Sequence, residues 1–352
     1  MAKSKLSGKV QTVLGPIEPD QLGITLTHEH LLIDLGCYFK TPEEASERAW
    51  INAPLTMDKL GKAAPRWSYT LHNQQLLDEK VAIEEVMRFK LEGGGSLVEA
   101  TSIGIARDPL AWARISRATG LNVIMGASHY VPVSYPAGID KRSEDEITAY
   151  IVRDVTVGVG DTGVRSGIIG EVGNFWPSDK TQDKVLRASA RAQKETGAPI
   201  LIHPGFAMES PPHILNVLSE AGADLSRVIM GHLDIFADRA WFKDLASSGC
   251  YMEFDNWGFE DTTAGSVAHQ SIAVPSDVQR MEMYEFLLDQ GFGEKLVVAQ
   301  DVCFKMQYAR YGGKSYDHIL GNLVPRMRKR GWSDKQINDI LVENPKRVLT
   351  FK

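Results

Sequence analysis

The sequence has too few cysteines for a disulfide framework and too few basic residues for a nucleic-acid-binding surface. Three cysteines, Cys37, Cys250 and Cys303, are scattered over 352 residues, which also argues against a cysteine-based zinc site. Lysine and arginine total 39 against 45 aspartates and glutamates, so the net charge is -6. One compact basic cluster, Arg326–Arg330, lies in a helical pattern and is interpreted as a solvated helix end. We therefore expect no nucleic-acid partner.

Long hydrophobic runs are also missing from the sequence. No apolar run approaches the roughly 18–20 residues that a membrane-spanning helix requires. The first ten residues are basic but lack the apolar stretch of a signal peptide. The residues are 43% hydrophobic and 24% charged, a composition that excludes fibrous and disordered proteins. We expect a cytosolic protein without a membrane partner.

The chain does contain a repeated alternation of short apolar segments and helical patterns. Segments such as Val228–Met230 are wholly apolar, which is typical of strands buried on both faces of a parallel sheet. Eight such strands alternating with helices predict an α/β fold, the (β/α)8 TIM barrel. A doubly wound sheet is the alternative, but no Gly-x-Gly-x-x-Gly turn follows the first strand. The predicted strands are Ile24–Ile33, Ser96–Thr101, Leu121–His129, Gly167–Val172, Ile200–His203, Val228–His232, Tyr251–Phe254 and Leu296–Ala299.

Apolar residues at helical spacing predict the helices between these strands. No linker or low-complexity tract divides the chain, so we expect residues 1–352 to form one barrel domain. The best-marked predicted helices are Gln74–Leu91, Lys184–Glu195, Pro212–Ala221 and Ser333–Leu349.

Residues 35–69 interrupt this alternation. The segment is longer than an ordinary strand-to-helix loop and contains Trp50, Pro54, Pro65 and Trp67. Two interpretations remain open: a surface insertion packed by its own aromatic residues, or a lid over the mouth of the barrel.

The first predicted strand ends in two histidines that alternate with other residues, Thr27-His28-Glu29-His30. Side chains two residues apart lie on the same face of a strand, so His28 and His30 would converge while Thr27 and Glu29 face away. Two converging imidazoles suit a first-row divalent metal, most often zinc. The pair alone is a weak signal, because such a pair more often consists of two ordinary histidines at a strand edge.

Four further candidate ligands stand at the ends of other predicted strands: Glu171, His203, His232 and Asp301. Barrel enzymes keep their active sites at this end of the strands. Each residue has a structural alternative, but the coincidence of all six favours a metal centre. A catalytic zinc uses about three protein ligands, so six predict two divalent ions about 3.5–4 Å apart. Zinc, manganese and cobalt all accept such ligands, and Asp301 is the candidate proton shuttle.

This set resembles the metal ligands of the phosphotriesterase family within the amidohydrolase superfamily. In many members of that family a carboxylated lysine bridges the metals, whereas Glu171 resembles the branch that uses glutamate. The resemblance implies that one ion is bound by His28, His30 and Asp301, the more exposed ion by His203 and His232, and both by Glu171.

Other segments resemble the phosphotriesterase-related branch found in animals. They are Leu6–Leu14, Gly167–Glu171, Lys314–Leu320, Asn344–Lys346 and Leu349–Lys352. This resemblance implies an amide hydrolase that cleaves N-acetyltaurine and other N-acyl taurines to taurine and a carboxylate. It also implies the possibility of a homodimer.

Two alternatives to amide hydrolysis remain open. The same metals could hydrolyse lactones or phosphoesters, or the barrel could bind a small ligand without catalysis. Asn256 stands where true phosphotriesterases have a histidine that relays a proton from the eighth-strand aspartate. The resemblance therefore does not imply efficient phosphotriester cleavage.

A sulfonate substrate requires cationic or N–H donors near the barrel mouth. Lys305 and Arg310, in the loop after Asp301, are placed to offer one, and Arg107 after the second strand is another candidate. Ordinary solvated loop charge is the alternative for each.

Two aromatic residues at strand ends are candidate substrate contacts. Tyr130 could hydrogen-bond the substrate carbonyl or complete a core strand, and Trp257 could form a pocket wall or pack beneath the insertion. His129 is not needed by the metal pattern and has no assigned role.

Overall fold

The computed structural model describes residues 6–63, 70–236, 238–259 and 275–352. Eight of its strands form one parallel sheet, in which each strand pairs with those before and after it in the chain. All the strands of the described residues are β1 (Val10–Thr12), β2 (Gly15–Ile17), β3 (Ile24–Glu29), β4 (Ile33–Asp34), β5 (Gln75–Leu76), β6 (Gly94–Glu99), β7 (Asn122–Ala127), β8 (Ile168–Gly173), β9 (Ile200–His203), β10 (Val228–Met230), β11 (Tyr251–Phe254) and β12 (Leu296–Val298). The eight-stranded sheet consists of β3 and β6 to β12.

Helices follow the strands of this sheet and surround it. The helices are α1 (Ala45–Arg48), α2 (Leu60–Ala63), α3 (Glu79–Leu91), α4 (Pro109–Thr119), α5 (Glu144–Thr156), α6 (Lys180–Thr196), α7 (Ser210–Glu220), α8 (Arg239–Ala246), α9 (Asp277–Asp289), α10 (Val324–Lys329), α11 (Asp334–Asn338) and α12 (Asn344–Leu349). Two π-helical segments, Ile319–Leu323 and Asp339–Glu343, lead into α10 and α12.

The sheet curves so that its first strand, β3, meets its last, β12. The main-chain N–H of Asp301 donates to the carbonyl of His28 at 3.2 Å. The Thr27 hydroxyl donates to the carbonyl of Val298, also at 3.2 Å. These bonds bring the two ends of the sheet together, and the predicted (β/α)8 barrel is confirmed.

A layer of apolar side chains fills the barrel. Seven consecutive strands, β6 to β12, each contribute one residue to this buried cluster, which excludes water from the barrel axis. These residues are Val98, Ile124, Ile168, Leu201, Ile229, Tyr251 and Val297. A larger apolar cluster lies between the strands and the helices. The barrel is therefore a packed support for whatever lies at the strand ends.

Helix boundaries follow capping chemistry. Ser143 begins α5 with a capping box, in which its hydroxyl accepts from the Glu146 N–H at 3.2 Å and its own N–H donates to the Glu146 carboxylate at 2.7 Å. The Asp179 carboxylate caps α6, which ends at Gly197 in the left-handed conformation, with φ of 77°.

All eight predicted strands are present, with ends shifted by a few residues. The predicted start of the first helix, at Gln74, was wrong. Gln75–Leu76 instead pairs antiparallel with Ile33–Asp34, and Asp78 caps a helix that begins at Glu79. The periodic pattern alone did not show this pairing, because the two partners are about forty residues apart.

The described part of the insertion packs onto the barrel. Leu35, Tyr38 and Leu55 are buried in the larger apolar cluster. Pro65 and Trp67, which also suggested a lid, lie outside the described residues. The lid and the one-domain organisation stay predictions.

Two further sequence predictions concern the cysteines and the membrane. Cys37, Cys250 and Cys303 are all free, so the predicted absence of a disulfide framework is confirmed. Among the described helices, none is long and apolar enough to cross a bilayer.

Candidate metal centre

The carboxyl end of the barrel brings together all six residues that the sequence marked as candidate ligands. Their ligand atoms fall into two groups in which every atom lies within 4.8 Å of the others. One group is His28, His30 and Asp301, and the other is Glu171, His203 and His232. The resemblance implied the same division of the histidines and Asp301, with Glu171 shared by both ions. A third group of this kind, His28, His232 and Asp255, includes an acid that the sequence had not marked as a ligand.

Glu171 on β8 belongs to the second group but approaches the histidines of both. Its Oε1 is 3.4 Å from Nε2 of His30. Its Oε2 lies 3.3 Å from Nε2 of His28, 3.1 Å from Nδ1 of His203 and 3.9 Å from Nε2 of His232. Burial would raise the pKa of Glu171, but His28 and His203 lower it well below its usual range. A carboxylate so placed can bridge two cations.

Asp301 closes the first group from the loop after β12. Its Oδ1 lies 3.2 Å from Nε2 of His30 and 3.9 Å from Nε2 of His28. Its backbone has φ of 45°, in the left-handed region that a residue with a side chain occupies only when its surroundings hold it there.

The Glu29 carboxylate supplies that constraint. It accepts the main-chain N–H of Gln300 at 2.7 Å and that of Val302 at 3.0 Å, so it holds the residues on both sides of Asp301. Burial raises the pKa of Glu29 well above its usual value, although both N–H groups oppose this. Side chains alternate between the two faces of β3, so Glu29 lies on the face opposite His28. From that face its carboxylate reaches the residues that follow β12.

The donor set fits divalent cations. Nε2 of His28 is buried and has no hydrogen-bond partner in the described structure, although carboxylate oxygens of Glu171 and Asp301 lie nearby. Burying a ring nitrogen without a partner costs free energy of folding. A cation bound between this nitrogen and the carboxylate oxygens would give the nitrogen a partner. Imidazole and carboxylate are the ligands that first-row divalent metals prefer.

Side chains behind the candidate ligands set their orientation. Nδ1 of His30 lies 2.7 Å from the Thr101 hydroxyl, and Nδ1 of His28 lies 3.2 Å from Oε2 of Glu253. Such contacts leave each Nε2 directed at the cluster. Glu253 was missed in the sequence, although Glu253 and Asp255 show the same two-residue alternation at the end of β11 that marked the histidines.

Asn256 joins two acids behind the cluster. Its Nδ2 donates to Oδ1 of Asp234 and to Oδ1 of Asp255, both at 2.9 Å. The Arg280 guanidinium donates to the other oxygen of Asp234 at 2.6 Å. The Asn256 amide does not titrate, so it cannot carry a proton between Asp234 and Asp255.

Of the two aromatic candidates, Tyr130 lies against the cluster and Trp257 lies in a neighbouring cavity. The Tyr130 ring centroid is 5.0 Å from that of His203, and its hydroxyl accepts from the Tyr38 hydroxyl at 3.1 Å. Trp257 lines a cavity of about 250 Å³ together with the two neighbours of Asp301 in the chain. Their roles as substrate contacts stay predictions.

The cationic candidates lie elsewhere. Lys305 and Arg310 line a cavity of about 420 Å³ that includes none of the six candidate ligands. Burial lowers the pKa of Lys305 to about 8, and its ammonium donates to the main-chain carbonyl of His72 at 2.8 Å. Arg107 fits neither interpretation left open by the sequence, because its side chain is buried in an ion pair with Asp154, with N–O 2.8 Å.

Residues 8–349 match the sequence profile of the Phosphotriesterase family. The chain is 42% identical to an N-acetyltaurine hydrolase of Xenopus tropicalis, and 39% identical to one of Homo sapiens. Each alignment covers 99% of this chain and 100% of the relative.

Solved structures show the same fold. A resiniferatoxin-binding protein from Rhodobacter sphaeroides superposes with a TM-score of 0.94 at 34% identity, over 99% of this chain and 98% of that one. A mutant phosphotriesterase-like lactonase of Deinococcus radiodurans gives a TM-score of 0.75 at 25% identity, over 97% and 99%. With the profile match over nearly its whole length, the chain belongs to the phosphotriesterase family.

Proposed function

We propose that this protein is a two-metal amide hydrolase that cleaves N-acetyltaurine and other N-acyl taurines to taurine and a carboxylate. The observation that carries the proposal is the position of Glu171, whose two oxygens lie between two groups of histidines. The full-length similarity to N-acetyltaurine hydrolases supports the substrate. The sequence further predicts a cytosolic location for this activity.

The ligand assignment follows the two groups. His28, His30 and Asp301 would hold one ion, His203 and His232 the other, and Glu171 both. We propose zinc, because zinc commonly combines histidine and carboxylate ligands at hydrolytic sites. When bound, two such ions polarise the substrate carbonyl and lower the pKa of water.

Asp301 is the proposed general base and acid. Its side chain is 16% exposed, more than the other five candidate ligands, so its carboxylate faces the space a substrate would enter. Burial would raise the pKa of Asp301, but the neighbouring histidines, His30 first, lower it and keep the group ionised at neutral pH. It would take a proton from the attacking water and pass it to the amide nitrogen as the C–N bond breaks.

Tyr130 is the proposed donor to the substrate. Because the Tyr38 hydroxyl donates to the Tyr130 oxygen, the O–H of Tyr130 is available to donate in turn. Its ring lies against His203, so a substrate carbonyl bound at the cluster would be within reach. Trp257 would contact the substrate from the cavity that it lines with the chain neighbours of Asp301, Gln300 and Val302.

The test follows N-acetyltaurine by proton NMR with zinc-loaded protein, beside the Asp301→Asn variant. The wild type should convert the acetamide methyl signal into that of free acetate, and the variant should not. No acetate from wild-type protein that carries two metals per chain would reject this substrate.

Lactone hydrolysis is the second candidate function. The structural similarity to the Deinococcus lactonase favours it, and the same residues could take a proton from water and pass it to a ring oxygen. It would replace the first proposal if the metal-loaded protein opened lactones but left N-acyl taurines intact.

A further inference from the structure

A cavity of about 270 Å³ lies beside His203 at the carboxyl end of the barrel. Phe206 lines the cavity, and its ring centroid lies 5.4 Å from His203 and 5.9 Å from His232. The cavity therefore adjoins the two histidines of the second group of candidate ligands. Neither the metal pattern nor the proton shuttle uses its other residues.

Asn174, which also lines this cavity, is fixed in one orientation. Its Nδ2 donates to the main-chain carbonyls of Val172 at 3.0 Å and His203 at 3.3 Å. If the amide were turned over, its oxygen would face the two main-chain carbonyl oxygens. No hydrogen bond could then form, because neither an amide oxygen nor a carbonyl oxygen carries a proton to donate. The hydrogen bonds therefore assign Nδ2 to the main chain and leave Oδ1 as the end of the amide that these carbonyls do not hold, in a residue that lines the cavity.

Oδ1 of Asn174 has no hydrogen-bond partner among the described residues, although Asn174 is only 1% exposed. Buried acceptors are nearly always paired, because losing water without gaining a partner costs free energy. Gln182, in the same cavity, illustrates the usual outcome, since its Oε1 accepts the Phe175 N–H at 2.6 Å. The Asn174 oxygen is an acceptor that lacks its donor.

We propose that Asn174 Oδ1 accepts a hydrogen bond from the amide N–H of the substrate. The inference rests on the proposed function and names the residue that selects amides. In an N-acyl taurine at neutral pH, the amide N–H is the sole hydrogen-bond donor, because the sulfonate is ionised and the acetyl group has none. The acceptor and this donor are therefore matched.

The same contact discriminates against esters and lactones. Where the amide has N–H, those substrates have an oxygen, which would face the Asn174 oxygen without a proton between them. Sites that hydrogen-bond a substrate N–H reject analogues that lack it, because the buried group of the protein is left unpaired. Asn174 thus distinguishes between the two candidate functions of this barrel.

The experiment compares N-acetyltaurine with its oxygen isostere, 2-acetoxyethanesulfonate, on metal-loaded protein. In the Asn174→Leu variant, kcat/KM for the amide should fall at least about tenfold more than kcat/KM for the ester. Asp179→Asn is the matched control. Asp179 lines the same cavity and caps α6, and asparagine also caps helices, so both substrates should change alike.

Asn174→Ser provides a second variant if the leucine variant does not fold or bind two metals. A serine hydroxyl can still donate to the nearby carbonyls but withdraws the acceptor from the cavity, so the same amide-selective loss is expected. Equal losses for both substrates would show that Asn174 only supports His203, and no loss for either would show that Oδ1 does not contact the substrate. Either result overturns the inference. Wild-type protein that cleaves the ester but not the amide would instead reject the proposed function.

Discussion

The Asp255 carboxylate holds His232 at two points. Its Oδ1 lies 2.8 Å from the ring Nδ1, and its Oδ2 accepts the main-chain N–H at 2.9 Å. His232 has φ of 53°, a left-handed conformation that a residue with a side chain rarely adopts without such support. Burial would raise the pKa of Asp255, but His232 and His28 lower it far below its usual value. An ionised carboxylate thus directs Nε2 of His232 towards Glu171.

Removing this charge should weaken metal binding. In Asp255→Asn the backbone contact can persist, but the anionic partner of the His232 ring is lost, so the affinity for divalent metal should fall about 10–100-fold. Competition with a chromophoric chelator measures the affinity. Asp244→Asn, which neutralises an exposed acid on α8, is the control. Equal affinities in both variants would mean that Asp255 does not position the ligand.

Asp301→Asn should separate metal binding from turnover. The amide oxygen can still face His30, so most of the metal should stay bound, but an amide cannot accept the proton of water. Turnover of N-acetyltaurine should fall about 10²–10⁴-fold. Steady-state rates and elemental analysis on the same samples check both statements. Wild-type turnover in this variant would exclude Asp301 as the shuttle.

Arg107 should matter for stability and not for substrate binding. Arg107→Met leaves the Asp154 carboxylate buried and unpaired, which should lower the free energy of unfolding by about 3–5 kcal/mol. Chemical denaturation measures this loss, and the double variant Arg107→Met/Asp154→Leu should recover part of it. A large rise in KM without a loss of stability would contradict the structural role.

His129 should make the protein less stable in acid. Burial, with Arg107 and Arg142 nearby, lowers the pKa of His129 from 6.5 to about 4. Between these values the unfolded chain binds the proton and the folded chain does not, so stability falls as the pH drops below 6.5. His129→Gln should remove about 2 kcal/mol of the difference in unfolding free energy between pH 7.5 and pH 5. The same pH dependence in variant and wild type would exclude this effect.

Regular features of the fold could be predicted from local patterns. Val228–Met230 is uniformly apolar because a strand in a parallel barrel is covered on both faces, and that requirement is visible in three residues. The alternation of His28 and His30 likewise needs only the geometry of one strand. The start of α3 could not be predicted this way, because residues 75–76 pair with a strand far earlier in the chain.

Contacts between distant residues came only from the tertiary structure. Glu29 is 271 residues from Gln300, and nothing local indicates that it clamps the backbone beside Asp301. Lys305 follows Asp301 by four residues, yet its side chain turns to the main chain of His72 and lines another cavity. The direction of a side chain in a loop depends on the surface on which that loop packs.

Residue type and strand position were sufficient to mark the candidate ligands that the structure brings together, because a barrel brings all its strand ends to one face. They were not sufficient to identify the groups that orient those ligands or select the substrate. The roles proposed for Asp255 and Asn174 rest on hydrogen bonds across neighbouring strands. Such bonds depend on register and on which polar atoms remain unpaired after folding, and both are properties of the assembled barrel.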